Sequence, residues 1–293
     1  MKSTSCGVVS LLIILTFSAG GCVSKNRKVA PTERPKPAQT ATLSDLVDQF
    51  NHQVDSYHSF QAKVRFDLRS GSLKSGELKD YHEIKGFILL RRPSHLRMIG
   101  QIPTFGINAL DMVSDGKEFR VAFAPYRKFV MGSAIDRPHS SKPLENLRPW
   151  HILEIVAVQK LAPASNTHWV FREEVSEGRD NYYVLYDVER GAHENPYLNR
   201  KIWIDRSDLR FFRQQVFSSE GMLESDARYE DYSDWNGIAF PKKVSYFRPP
   251  EDYGLTIWFD DIRFNLTLED SKFTLEKPEG YELVEVGKNS KAP

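Results

Sequence analysis

The chain has 293 residues, with 40 lysines and arginines against 39 aspartates and glutamates, for a net charge of +1. That balance excludes nucleic acid as a partner, since phosphate binding needs concentrated positive charge. Forty per cent hydrophobic and twelve per cent aromatic residues suffice for a sizeable core, and the length suits one large all-β domain or two small ones.

The N-terminus reads as an export signal. Lys2 precedes an apolar run from Gly7 to Phe17, and Ala19-Gly20-Gly21-Cys22 follows. A basic start, a short apolar run and small residues form that pattern, and the run is shorter than the roughly 20 apolar residues that span a bilayer. The cysteine after small residues resembles the lipobox of bacterial lipoproteins, with Ala19 where leucine is usual. The resemblance implies cleavage before Cys22, lipidation of its sulfur and attachment to a membrane. One acyl chain binds only marginally, whereas the two or three chains of that class hold firmly. Val23 rather than an aspartate follows Cys22, which implies the outer membrane. Cys6 lies in the leader, so the mature chain keeps one cysteine and forms no internal disulfide. The expected divisions are a signal peptide over 1–21, a lipidated cysteine and flexible tether over 22–41, a folded domain over 42–287 and a disordered tail over 288–293. Pro31, Pro35 and Pro37 among polar residues give the tether its character.

Leu43, Leu46, Val47, Phe50, Val54 and Tyr57 recur at helical spacing, with Thr42 and Asp45 placed as a capping box. From Phe60 the period changes to two: Val64, Phe66 and Leu68 alternate with Lys63, Arg65, Asp67 and Arg69, a half-buried antiparallel strand. A polar loop at Gly71–Gly76 leads to strands at Ile84–Leu90 and Leu96–Ile99. Asp115-Gly116 turns Leu110–Ser114 back onto Glu118–Ala124, and Tyr126–Met131 pairs next. Leu144–Val158 reads as a second helical segment interrupted by Pro149. Strands resume at Trp169–Val175, Tyr182–Val188, Lys201–Asp205, Leu209–Phe217, Leu223–Tyr232, Phe240–Phe247 and Leu255–Phe264. The fold expected is mainly β: a single curved antiparallel sheet, a half-closed barrel of about eleven strands, with a helical lid over a hydrophobic cavity.

Signatures of catalysis are absent. No phosphate-cradling glycine loop, no Gly-x-Ser-x-Gly elbow and no His-x-x-x-His spacing occurs, and His52 and His58 read as surface residues. Asp260-Asp261 and Glu230-Asp231 are adjacent on strands and so point to opposite faces. The expectation is a protein without enzymatic activity, cofactor or metal. The stronger signal is apolar. Phe87-Ile88-Leu89-Leu90 and the run around Trp258 are apolar on both faces, as in a sheet covered on both sides, enclosing a ligand or touching membrane. Phe105 and Ile107 on the turn-rich segment 101–107 either tuck under the sheet or project as a tip.

Five segments in order resemble the lipoprotein carrier and receptor proteins of the Lol pathway (LolA/LolB-like): Arg91-Arg92-Pro93 with Arg97; Val113-Ser114-Asp115-Gly116; Ile202-Trp203-Ile204-Asp205 with Leu209; Tyr229 to Lys242; and Asn265 to Phe273 with Pro278-Glu279-Gly280. The resemblance implies a half-closed barrel whose cavity takes the acyl chains of lipoproteins, an outer-membrane anchor facing the periplasm, and a periplasmic carrier protein as a partner. Residues expected to line the cavity are Phe66, Leu68, Ile88, Leu90, Leu96, Met98, Ile257 and Phe259. Phe105 and Ile107 are the expected tip toward bilayer or carrier. The alternative is an envelope sensor or assembly scaffold on the same fold.

Overall fold

The computed structural model describes residues 37–71, 79–102, 107–133, 148–178, 180–191 and 195–286. Cys6, Cys22 and the tether to residue 36, the polar loop 72–78, Phe105, Leu144, Leu147 and the tail beyond 286 lie outside them.

The fold begins with α1 (Leu43–Asp55). A first meander follows: β1 (Ser59–Ser70), β2 (Lys79–Arg91), β3 (His95–Ile102), β4 (Ile107–Ser114), β5 (Glu118–Phe123) and β6 (Lys128–Ser133). After α2 (Pro149–Val156) comes a second meander. Its strands are β7 (His168–Glu177), β8 (Asp180–Arg190), β9 (Pro196–Asp205), β10 (Phe211–Phe217), β11 (Leu223–Trp235), β12 (Ile238–Arg248) and β13 (Tyr253–Phe264), and β14 (Glu282–Val286) ends the sheet. All fourteen form one sheet in the order β14-β6-β5-β4-β3-β2-β1-β13-β12-β11-β10-β9-β8-β7. The two meanders join where β1 pairs with β13, Phe66 opposite Ile257.

As expected, the fold is one curved sheet not closed into a barrel, but it has fourteen strands rather than about eleven. The strand most easily overlooked is β14, which follows the Gly280 turn and pairs with β6 in parallel, a return that local patterning does not signal. Of the segment 144–158, residues 148–158 are described, and α2 occupies Pro149–Val156 of it. Pro149 starts α2 rather than interrupting it, because the first helical position needs no N–H and suits a fixed φ.

Period-two alternation explains the core. On β1 the even residues Phe60, Ala62, Val64, Phe66 and Leu68 are buried, while Lys63 and Arg69 are exposed. α1 lays Leu46, Phe50 and Val54 onto that face, α2 lays Ile152, Ile155 and Val156, and the whole forms one apolar cluster. Gly86 and Gly100 face each other across β2 and β3, and a Cβ on Gly100 would stand 2.6 Å from the Phe66 ring. The missing side chain of Gly100 makes the notch that ring fills.

The outer face is covered only in part. Beyond β13 the chain turns at Asn265 (φ 56°), and Leu268 and Phe273 pack against Leu89. Arg91 donates to the Leu268 carbonyl at 2.7 Å, Arg97 to that of Lys272 at 3.1 Å and Arg120 to that of Leu275 at 3.3 Å. This strap accounts for the two-faced apolar pattern of Phe87–Leu90.

Candidate functional site

The face covered by α1 and α2 is the candidate site. It holds Phe66 and Leu68 (β1), Ile88 and Leu90 (β2), Leu96 and Met98 (β3), and Ile257 and Phe259 (β13), every one buried in a single cluster. Ile107 opens β4; its side chain and Phe105 lie outside the description.

Both helices are fixed by polar contacts at their ends rather than by apolar packing alone. Thr42 and Asp45 cap α1: the Asp45 amide donates to Thr42 Oγ1 at 3.2 Å and the Thr42 amide to Asp45 Oδ2 at 2.9 Å. The Thr42 bonds hold the Asp45 carboxyl below its usual range. Asn51 then ties α1 to the chain after α2, accepting from the Leu161 amide at 2.8 Å and donating to its carbonyl at 3.1 Å. Tyr57 donates to the Val156 carbonyl at 2.7 Å.

Arg92 grips the C-terminal end of α2. Its Nη1 donates to the carbonyls of Ala157 at 3.3 Å and Val158 at 3.1 Å. A cation at that end also complements the helix dipole.

Glu154 is the second anchor of α2. Its Oε1 accepts from Ser225 on β11, and from Tyr246 on β12 at 3.0 Å. Oε2 lies 3.7 Å from Arg248, which makes a two-pronged pair with Glu251 at 2.8 and 3.1 Å. Burial raises the Glu154 carboxyl above its ordinary range despite the opposing pull of Ser225 and Arg248. His151 on α2 meets Tyr253 at 2.5 Å.

A third cluster holds the chain after α2. Asp187 on β8 is wholly buried and bridges His168 (2.5 Å) and Arg200 (2.7 Å). Arg200 in turn donates to the carbonyls of Gln159 at 2.8 Å and Lys160 at 3.1 Å. Register places Asp187 opposite Arg200, Val216 between Arg200 and Ser225, and Arg248 opposite Tyr253. These groups form a polar seam along one rim of an otherwise apolar face.

Space beneath the helices is small at the β10–β12 side. The hole among Tyr57, Ile155, Phe211, Tyr229 and Phe240 measures about 10 Å³, room for about one water. The Tyr229 hydroxyl there is buried without a hydrogen-bond partner, and burial pushes it well above its ordinary pKa. No group of three or more histidine, cysteine or carboxylate side chains among the described residues is arranged to hold a metal.

Sequence reasoning placed the apolar residues on one face and missed the seam. Glu154 was visible as the single charge in Trp150–Val158, and Asp187 as the charge within Tyr182–Val188. Their partners Arg248 and Arg200 are 94 and 13 residues away in sequence and carried no signal. His52 and His58 are exposed.

Comparison with known proteins gives the fold. A model of a family described only as an uncharacterized protein matches residues 158–277. No curated protein matches. A DUF1329 family protein from Desulfovibrio piger is similar at 15% identity, over 78% of this chain and 95% of its own, with a TM-score of 0.52. A LolA superfamily protein from Nitrosomonas europaea is similar at 14% identity, over 80% of this chain and 99% of its own, with a TM-score of 0.50. The chain therefore shares the LolA-like architecture.

Proposed function

We propose that this chain is a lipoprotein anchored through Cys22 to the outer membrane, facing the periplasm, which holds acyl chains of other lipoproteins between its helices and its sheet and hands them on. The observation that carries the reading is the mismatch between cover and surface. A broad apolar face running from β3 through β2 and β1 to β13 is covered, among the described residues, by helices of 13 and 8 residues, and those helices are held by Arg92, Asn51, Glu154 and the Asp187 cluster.

A hole of about 10 Å³ at the β10–β12 side does not hold a fatty chain, so a ligand entering there displaces helix side chains and takes their place. Such an exchange of one apolar contact for another needs no covalent chemistry. Burial at about 25 cal/mol per Å² favours both states, and the polar anchors decide between them. Phe66, Leu68, Ile88, Leu90, Leu96, Met98, Ile257 and Phe259 form the receiving surface in this reading. Phe105 and Ile107 form the tip toward bilayer or carrier protein.

Titrating purified, delipidated protein with a fluorescent fatty acid tests the reading. Saturable binding supports it, and its absence overturns it. Crosslinking in intact cells then separates roles: capture of many lipoproteins fits transport, whereas one recurring partner fits a sensor or scaffold.

A further inference from the structure

The outer face carries a groove of about 410 Å³ that the helix-covered face does not explain. It crosses β11, β12, β13, β1 and β2 on the side away from α1 and α2. Short residues make part of its floor: Ser245 stands opposite Thr256, and Gly254 opposite Phe247. Its walls are charged, with Asp67, Arg69, Asp80 and His82 on one side, Asp226 and Arg228 on the other, and Asp252 at the head of β13.

Most of those charges are neutralised within the protein. Arg69 pairs with Asp80 at 2.9 Å, His82 with Asp67 at 3.0 Å, and Arg213 with Asp226 at 2.5 Å. Asp67 accepts a further bond from the Glu83 amide at 2.7 Å, and Asp226 one from Gln215 at 2.8 Å. Among the described residues of the groove, the Arg228 guanidinium and the Asp252 carboxylate are left without a partner. So are the hydroxyls of Ser245 and Thr256.

The register fixes where these groups stand. Arg228, Ser245 and Thr256 share one row, and Asp226, Phe247 and Gly254 share the next. Asp252 lies two residues beyond Gly254. The unpaired cation and the unpaired anion are thus two strands and four residues apart, about 16 Å on ordinary strand spacing. Phe247, 47% exposed, stands between them.

We propose that this groove binds an extended oligopeptide of about five residues, with a carboxylate at one end and an amine at the other. Five extended residues span about 17 Å, which matches the separation. The carboxylate meets the fork of Arg228, an acceptor–donor fit that favours planar, two-pronged pairing, with the Ser245 and Thr256 hydroxyls beside it. The amine meets Asp252, and an apolar side chain of the peptide covers the Phe247 ring. The site lies on the opposite face from the acyl surface and does not depend on it.

Calorimetric titration of the full mature protein with Ala-Ala-Leu-Ala-Ala tests the proposal. The free-ended peptide binds saturably at one site. Acetylating and amidating its ends weakens binding by about tenfold or more, as do Arg228→Gln and Asp252→Asn, a scale set by loss of a charged hydrogen-bonded contact. Both side chains are at the surface, so circular dichroism of the variants stays that of the parent. Absence of saturable binding, equal binding of the capped peptide, or unchanged binding by both variants overturns the proposal. Fatty-acid binding by the two variants remains at the parent level, which keeps this outcome separate from that of the acyl reading.

Discussion

The guanidinium of Arg92 lies 4.8 Å over the ring of Tyr57, and both side chains bond to the C-terminal end of α2. The β2–β3 turn and the end of α1 thereby close on the same few carbonyls. Arg92→Leu removes two hydrogen bonds and a cation–π contact. The expected loss of stability is about 1–3 kcal/mol, read by denaturant unfolding. Amide exchange rises first over residues 155–161, and Arg92→Lys recovers part of the loss.

Glu154 sets a pH dependence whose sign follows from its raised carboxyl pKa. A carboxylate that protonates more readily folded than unfolded penalises the fold while ionised. The penalty is present above the raised folded value and is relieved as pH falls through it toward the unfolded value. Relative to Glu154→Gln, which keeps a side chain able to bond Ser225 and Tyr246, the parent gains stability on acidification. Unfolding free energies of both proteins at about pH 8 and pH 5 check this; a parallel pair of curves contradicts it.

Asp187 and Arg200 form a buried pair with side-chain exposures of 0% and 10%. Removing one partner leaves the other charged and buried, so Asp187→Ala costs about 3–5 kcal/mol. The double replacement Asp187→Leu with Arg200→Met costs less than the single one. Chemical denaturation of the three variants measures the difference.

Gly86 has no room for a side chain. A Cβ there would overlap the carbonyl oxygen of Ile99, a backbone atom of the paired strand that cannot swing aside. Gly86→Ala is expected to destabilise by about 1–3 kcal/mol or more, whereas Gly221→Ala, where nothing stands within 4 Å, loses only what its φ of 80° imposes. Thermal melts of the two variants compare them.

The motif segments make contacts that hold turns and strands in place. Asp115 Oδ1 accepts from the amides of Lys117 at 2.8 Å and Glu118 at 2.9 Å, which closes the Asp115-Gly116 turn. Asp205 does the same for Ser207 at 2.7 Å. Asn265 accepts from the His58 amide at 2.9 Å, and Arg97 pairs with Asp111 across β3 and β4 at 2.8 Å. Turn chemistry and period-two alternation act over a few residues, so the strands, the capped α1 and the inward-facing residues from Phe66 to Phe259 were legible. The anchors of α2 were not. Glu154 meets Ser225 and Arg248 only because β11 and β12 pass beneath the helix, and β14 exists as a strand only because β6 is there to receive it.

The most direct test of an acyl-receiving face uses the protein's own tryptophans. Of its five, Trp150 sits on α2 with its ring 5.6 Å from that of Phe119 on the covered face, and Trp258 lies under Arg65 on the outer face. Two variants, each with the other four tryptophans replaced by phenylalanine, are titrated with a brominated fatty acid, which quenches indole fluorescence only at close range. The account predicts saturable quenching of Trp150 with Trp258 unaffected. Equal quenching of both, or of neither, contradicts it.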